Sequence, residues 1–182
     1  MSEIVEVRNV SKHFGDFAAL DDVSFNISPG SIVGLIGPNG AGKTTTLKSI
    51  LGLTGFDGEM RVLGEDPRSG RHKIMERVCF IADVGVLPRW LRVSDALNYI
   101  QGIHPRFNRD RAEVMLAETK ISKRSKVKEL SKGMVTQLHL ALVMAIEVDL
   151  LVLDEPTLGL DILFRKAFYE HLLNDYFDNE TS

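Results

Sequence analysis

Residues 37–45 read GPNGAGKTT, and residues 150–156 read LLVLDEP. The first satisfies the pattern G-x-x-x-x-G-K-[ST], with Gly37, Gly42, Lys43 and Thr44 at the fixed positions. The apolar run SIVGLI (31–36) before it reads as a strand, and KTTTLKSILGL after it as a helix ending near Gly52. Strand, loop, helix is the context in which this pattern cradles phosphate. Glycine lets backbone N–H groups curl around phosphate oxygens without a Cβ clash. The helix N-terminus that follows favours an anion. The expected nucleotide contacts are therefore Gly37, Pro38, Asn39, Gly40, Ala41, Gly42, Lys43, Thr44 and Thr45. Lys43 can reach the β- and γ-phosphates, and the Thr44 hydroxyl can ligate Mg²⁺. LLVL reads as a buried parallel strand that delivers Asp154 to its C-terminal edge. There Asp154 is suited to holding Mg²⁺ through water, and Glu155 to orienting and polarising an attacking water. A chance glycine-rich turn and two surface acids before a proline are the bland alternatives, and their coincidence in one chain argues against both.

Composition sets wide bounds. A chain of 182 residues, 44% hydrophobic and 26% charged, is of ordinary globular make-up. The net charge of −3 gives no bulk drive towards nucleic acid or anionic lipid. The single cysteine, Cys79, cannot build a disulfide framework, and in VCFIA it reads as a small core residue. The opening MSEIVEVRNV lacks the features of a signal peptide, and no apolar run reaches the length of a membrane span. The expected location is cytoplasmic, with any membrane role exercised through a partner.

Outward from the two phosphate motifs, the periodicity predicts strands at 4–10, 23–27, 59–64 and 78–82. Ser28-Pro29-Gly30 would turn the strand at 23–27 into that at 31–36 as a hairpin. Helices are expected over 95–104, begun by Ser94, over 110–119, over 131–147 and over 164–176. The third is apolar nearly all round, the mark of a buried helix. The predicted fold is α/β: a phosphate-loop NTPase core with an antiparallel β subdomain and an inserted α-helical lobe at roughly 84–147, all within one domain spanning 1–182.

LSKGM (130–134) opens the long helix, with Ser131 a good N-cap and Gly133 leaving the first turn open. Combined with the two phosphate motifs, this segment resembles the signature of ATP-binding cassette (ABC) ATPases, and the resemblance covers essentially the whole chain. It implies an ATP-hydrolysing subunit that pairs with a second, so that Ser131, Lys132 and Gly133 approach the γ-phosphate of ATP held by the opposite subunit. It places Phe14, in KHFG, where the family stacks a ring on adenine. It places Asp161, in LGLD (158–161), on the dimer interface. ATP and Mg²⁺ are the implied ligands, and separate transmembrane permease subunits the implied partners, at the inner face of the cell membrane.

Three departures stand out. The usual signature is LSGGQ, and the form with Lys132 and Met134 resembles the subgroup serving ABC-2-type exporters. The position that usually carries a glutamine is Asp83, which could still ligate Mg²⁺ with altered geometry and charge. The family's switch histidine is expected beyond Ser182, since His171 comes too early, so the chain is expected to lack the last strands and helices of the core. Two weaker signals remain. KISKRSKVK (120–128) carries five basic residues and reads as a solvated connection, with no nucleic acid expected to bind it. VGVLPRWL (84–91) carries the only tryptophan and reads as core or as a docking surface for a membrane subunit. The rivals to an export ATPase are a soluble ABC protein acting on nucleic acid or ribosomes and a catalytically weak nucleotide sensor. A GTPase is disfavoured because no N-K-x-D motif occurs.

Overall fold

The structure is a computed structural model describing residues 2–81, 87–156, 162, 165, 166, 168–170, 172 and 173. It divides into two compact units, Met1–Val78 and Cys79–Ser182.

In the first unit, β1 (Val5–Phe14), β2 (Phe17–Ile27) and β3 (Asp57–Val62) form an antiparallel sheet of order β2-β1-β3. Val5, Val7 and Val10 of β1 are buried, as are Met60 and Val62 of β3, so one face of the sheet is apolar. The hairpin lies where Phe14 pairs with Phe17, across Gly15 and Asp16. Gly15 takes φ +57°, the left-handed conformation a two-residue hairpin loop demands. The expected hairpin at Ser28-Pro29-Gly30 is therefore corrected: β2 pairs back onto β1, with Ile27 opposite Val5. The strand expected at 31–36 is also corrected. Residues 31–38 have no regular secondary structure, and Ile36 is 98% exposed. An apolar run becomes a strand only where another strand offers it a ladder, and the antiparallel sheet of this unit offers none among its described residues. Two helices complete the unit, α1 (Lys43–Ile50) and the short α2 (Arg71–Met75).

In the second unit, α3 (Val93–Ile103), α4 (Arg109–Ala117) and α5 (Lys132–Met144) pack around a dry core that includes Val93, Leu97, Ala112, Leu116, Leu138 and Leu142. Between α4 and α5 lies a 3₁₀ turn at Val127–Glu129. β4 (Val78–Ile81) and β5 (Leu150–Leu153) pair in a two-stranded sheet. The far side of α5, with Leu140, Val143 and Met144, packs on Ile81, Phe168 and the half-buried Cys79 and Leu151. The C-terminal half of α5 is thus enclosed on both sides, which is why its sequence is apolar all round. Burial pushes the Cys79 thiol up to about 11. The described residues between 162 and 173 are helical, within the expected last helix.

Helix α3 begins earlier than expected. Its N-cap is Arg92, and no side chain caps it, so Ser94 does not do so. The reason is that the first-turn N–H groups of Val93 and Ser94 donate to the carbonyls of Ser125 and Lys123, at 3.0 and 2.9 Å. Orphan donors satisfied by a neighbouring segment need no capping hydroxyl. Helix α4 is capped by Asn108, whose side chain accepts from the Arg111 N–H. No helix of the described residues is long and apolar enough to cross a membrane.

Candidate functional site

The phosphate loop runs through the first unit and ends in α1, whose N-cap is Gly42 at φ +81°. This position admits only glycine. A Cβ there would collide with the Ala19 carbonyl of β2 and stand 2.9 Å from Leu20 Cδ2. The close approach of β2 thus seats the loop against the sheet. The loop is tied to itself as well. The Ala41 N–H donates to the Pro38 carbonyl at 3.2 Å, and both the N–H and the hydroxyl of Thr46 donate to the Gly42 carbonyl. Ser49 donates to the Thr45 carbonyl at 2.9 Å. Pro38, Asn39, Gly40 and Ala41 are exposed.

The Lys43 ammonium folds back over the loop. It donates to the carbonyls of Gly37 at 2.8 Å and Pro38 at 3.0 Å. Two carbonyl dipoles hold the cation across the concave side of the loop, which is where a phosphate would need it. No side chain caps α1, so its first-turn N–H groups keep the character of an anion site.

Phe14 closes β1 beside the hairpin loop and is 54% exposed. The Lys12 ammonium lies 5.1 Å from its ring centre, a cation–π distance. Sequence reasoning passed over this partner, although i and i+2 on a strand share a face and K-x-F therefore signals the contact.

In the second unit, the Asp154 N–H donates to the Ile81 carbonyl at 2.9 Å, continuing the β4–β5 ladder one residue past β5. Glu155 follows, exposed and at φ +49°. A left-handed conformation costs a residue with a side chain about 1–2 kcal/mol. Such strain clusters at sites where direction matters more than stability. Ser131 caps α5, its hydroxyl accepting from the Met134 N–H at 3.2 Å. Ser131 and Lys132 are exposed, and nothing lies within 4 Å of where a Cβ on Gly133 would be. The head of α5 is thus open to approach. The structure brings Gly37, Pro38 and Lys43 together in one unit and Asp154 and Glu155 together in the other. Asp83 and Asp161 lie outside the described residues.

A family model described as ABC transporter matches residues 20–158, most of the chain and all three motifs. The chain belongs to the ABC transporter family. It is 36% identical to a multidrug ABC transporter ATP-binding protein of Escherichia coli over 93% of its own length and 30% of that protein. It is 34% identical to a Nod factor export ATP-binding protein of Cupriavidus metallidurans, covering 94% of the chain and 59% of the relative. A zinc uptake system ATP-binding protein of Listeria monocytogenes matches at 33%, covering 94% of the chain and 71% of the relative. A solved ATP-binding subunit of an ABC transporter superposes with a TM-score of 0.83 at 29% identity, covering 96% of this chain and 75% of that one. The fold class read from the sequence is thereby that of ABC ATPase subunits, and the chain carries the family's ATP-binding domain. It spans about a third to three fifths of the length of the first relatives named.

Proposed function

We propose that this chain is the ATP-hydrolysing part of an exporter-type ABC transporter, energising separate permease subunits from the cytoplasmic face of the membrane. The observation that carries it is Lys43, held across the phosphate loop by the Gly37 and Pro38 carbonyls. Triphosphate would exchange those two carbonyl contacts for β- and γ-phosphate oxygens, a stronger charge-assisted pairing. The multidrug and Nod factor export names of two relatives, and the Lys132 form of the signature, favour export. Phe14 would take the adenine ring.

Thr44 and Asp154 offer hydroxyl and carboxylate oxygens, the hard donors that Mg²⁺ prefers. Among the described residues no group of three or more His, Cys, Asp or Glu could hold a metal. A cation bound through one or two protein oxygens, with phosphate and water completing its shell, fits this donor set. Bound Mg²⁺ would supply charge neutralisation at the transferring phosphoryl group. Glu155 accepts the proton of the attacking water, and Ser131 and Gly133 of a second subunit close over the γ-phosphate.

The test is Glu155→Gln in the protein assembled with its permease. The amide keeps shape but loses basicity, so ATP binding should persist while phosphate release falls by about 10²–10⁴. A nucleotide-bound dimer should accumulate on size-exclusion chromatography. Turnover at the wild-type rate would remove Glu155 from the chemistry.

A further inference from the structure

Two segments that look unrelated in sequence, LPRWLRVS (87–94) and SKRSKVK (122–128), lie side by side. Their backbones are laddered. Val127 N–H donates to Leu91 O at 2.9 Å, Lys128 N–H to Arg89 O at 3.0 Å, and Val93 N–H to Ser125 O at 3.0 Å. Arg92 and Lys126 form an antiparallel bridge, and the Arg92 guanidinium donates to the Arg124 carbonyl at 3.0 Å. Val93 and Val127 point into the helical core, at 0% and 4% exposure. This alternation anchors the ribbon and turns its charged positions outward.

The ribbon carries Arg89, Arg92, Lys123, Arg124, Lys126 and Lys128, with no acid in either segment. Lys123 is occupied by Glu113 at 2.6 Å. Among the described residues, Arg89, Arg124, Lys126 and Lys128 have no carboxylate partner. At the turn of the ribbon stands Trp90, 72% exposed, between Arg89 and the half-buried Leu91. A chain of net charge −3 therefore concentrates unbalanced positive charge around one projecting indole.

We propose that this ribbon is a contact surface for anionic phospholipid headgroups, with Trp90 inserted at the interface and the flanking Arg and Lys side chains on the lipid phosphates. An indole with its ring apolar and its N–H wet belongs at the membrane–water boundary. Clustered Lys and Arg bind an anionic leaflet over about a Debye length. A single aromatic at the tip of a turn suits insertion better than single-stranded nucleic acid, whose platforms stack successive bases on several rings. The inference goes beyond the export reading and does not depend on hydrolysis, so its failure leaves the Glu155 test untouched.

Trp90 is the only tryptophan, so its fluorescence reports this surface directly. The full chain, without permease, is titrated with vesicles of phosphatidylcholine alone and with vesicles containing phosphatidylglycerol, at low and high salt. The expected result is a blue shift and co-flotation only with the anionic vesicles, weakened by salt. The combined substitution Arg89→Glu, Lys126→Glu and Lys128→Glu should weaken partitioning by at least about tenfold. Trp90→Phe should preserve part of the flotation, and the melting temperature of each variant checks folding. No shift, an equal shift with neutral vesicles, or tighter binding to single-stranded RNA in competition would each overturn the proposal.

Discussion

The phosphate loop and the helical lobe are held by different physics. Around Lys43 the structure is made by backbone. A left-handed glycine is pressed against the Ala19 carbonyl, two carbonyls hold the ammonium, and the apolar run at 31–36 beside it stands largely exposed. In the lobe, Val93, Leu97, Ala112, Leu138 and Leu142 are buried in a dry side-chain core, and Ser131 and Gly133 ride on top of it. One region stores its specification in dihedral angles and the other in packing. Damage to the first should fall on ligand binding, and damage to the second on stability.

Leu138→Ala tests the packing side with the largest expected effect. Leu138 is fully buried, and such truncations cost about 2–5 kcal/mol. Chemical denaturation should show that loss while nucleotide affinity of the folded fraction is unchanged. A matching loss of affinity would mean that the two regions are not separable.

Gly42→Ala tests the backbone side. The left-handed conformation alone costs about 1–2 kcal/mol, before the clash with Ala19. The thermal shift given by saturating MgATP, about 2.7 kcal/mol at a hundredfold excess over Kd, should be lost. A retained shift would show that the loop tolerates a Cβ and that the comparison is misdrawn.

Ser131→Ala sits on the boundary between the two. Losing the cap should cost about 0.5–2 kcal/mol, read as a lower melting temperature. If hydrolysis in the assembled transporter falls no further than stability explains, the hydroxyl serves only the helix.

The smallest effect concerns His139 on α5, whose pKa burial depresses below its ordinary 6.5. The unfolded chain then takes up the proton more readily than the folded one. Stability is whole above about pH 6.5 and declines as acidity approaches the lowered folded value. His139→Gln should flatten the dependence of melting temperature between about pH 7.5 and about pH 5.5. An unchanged slope would place the acid sensitivity elsewhere.

Sequence legibility followed the same division. The loop residues, the Ser131 cap and the enclosed α5 could all be read, because each depends on local chemistry or on one helix's own period. The strand expected at 31–36 could not, since an apolar run shows readiness for burial and not which strand will ladder with it. The hairpin was misplaced because Ser28-Pro29-Gly30 and Gly15-Asp16 are both competent turns, and only the β1–β2 register decides between them. Ser94 was misassigned as a cap because its helix takes its first hydrogen bonds from residues about thirty positions later. The same long-range ladder joined two weak signals, one basic and one aromatic, that had looked independent. Whether Asp83 and Asp161 take the roles expected of them lies outside the described residues.

The seating of Gly42 on β2 has a consequence for how a ligand is measured. The strand that touches the phosphate loop at Ala19 is the one whose hairpin partner ends in Phe14. Base stacker and phosphate cradle are therefore two jaws of one caliper, joined through a few residues of β-ribbon. Under the proposed reading, a nucleotide is gauged by its length as well as by its charge. Repacking at Leu20, which touches no ligand, would reset the gap and change the preference between triphosphate and diphosphate.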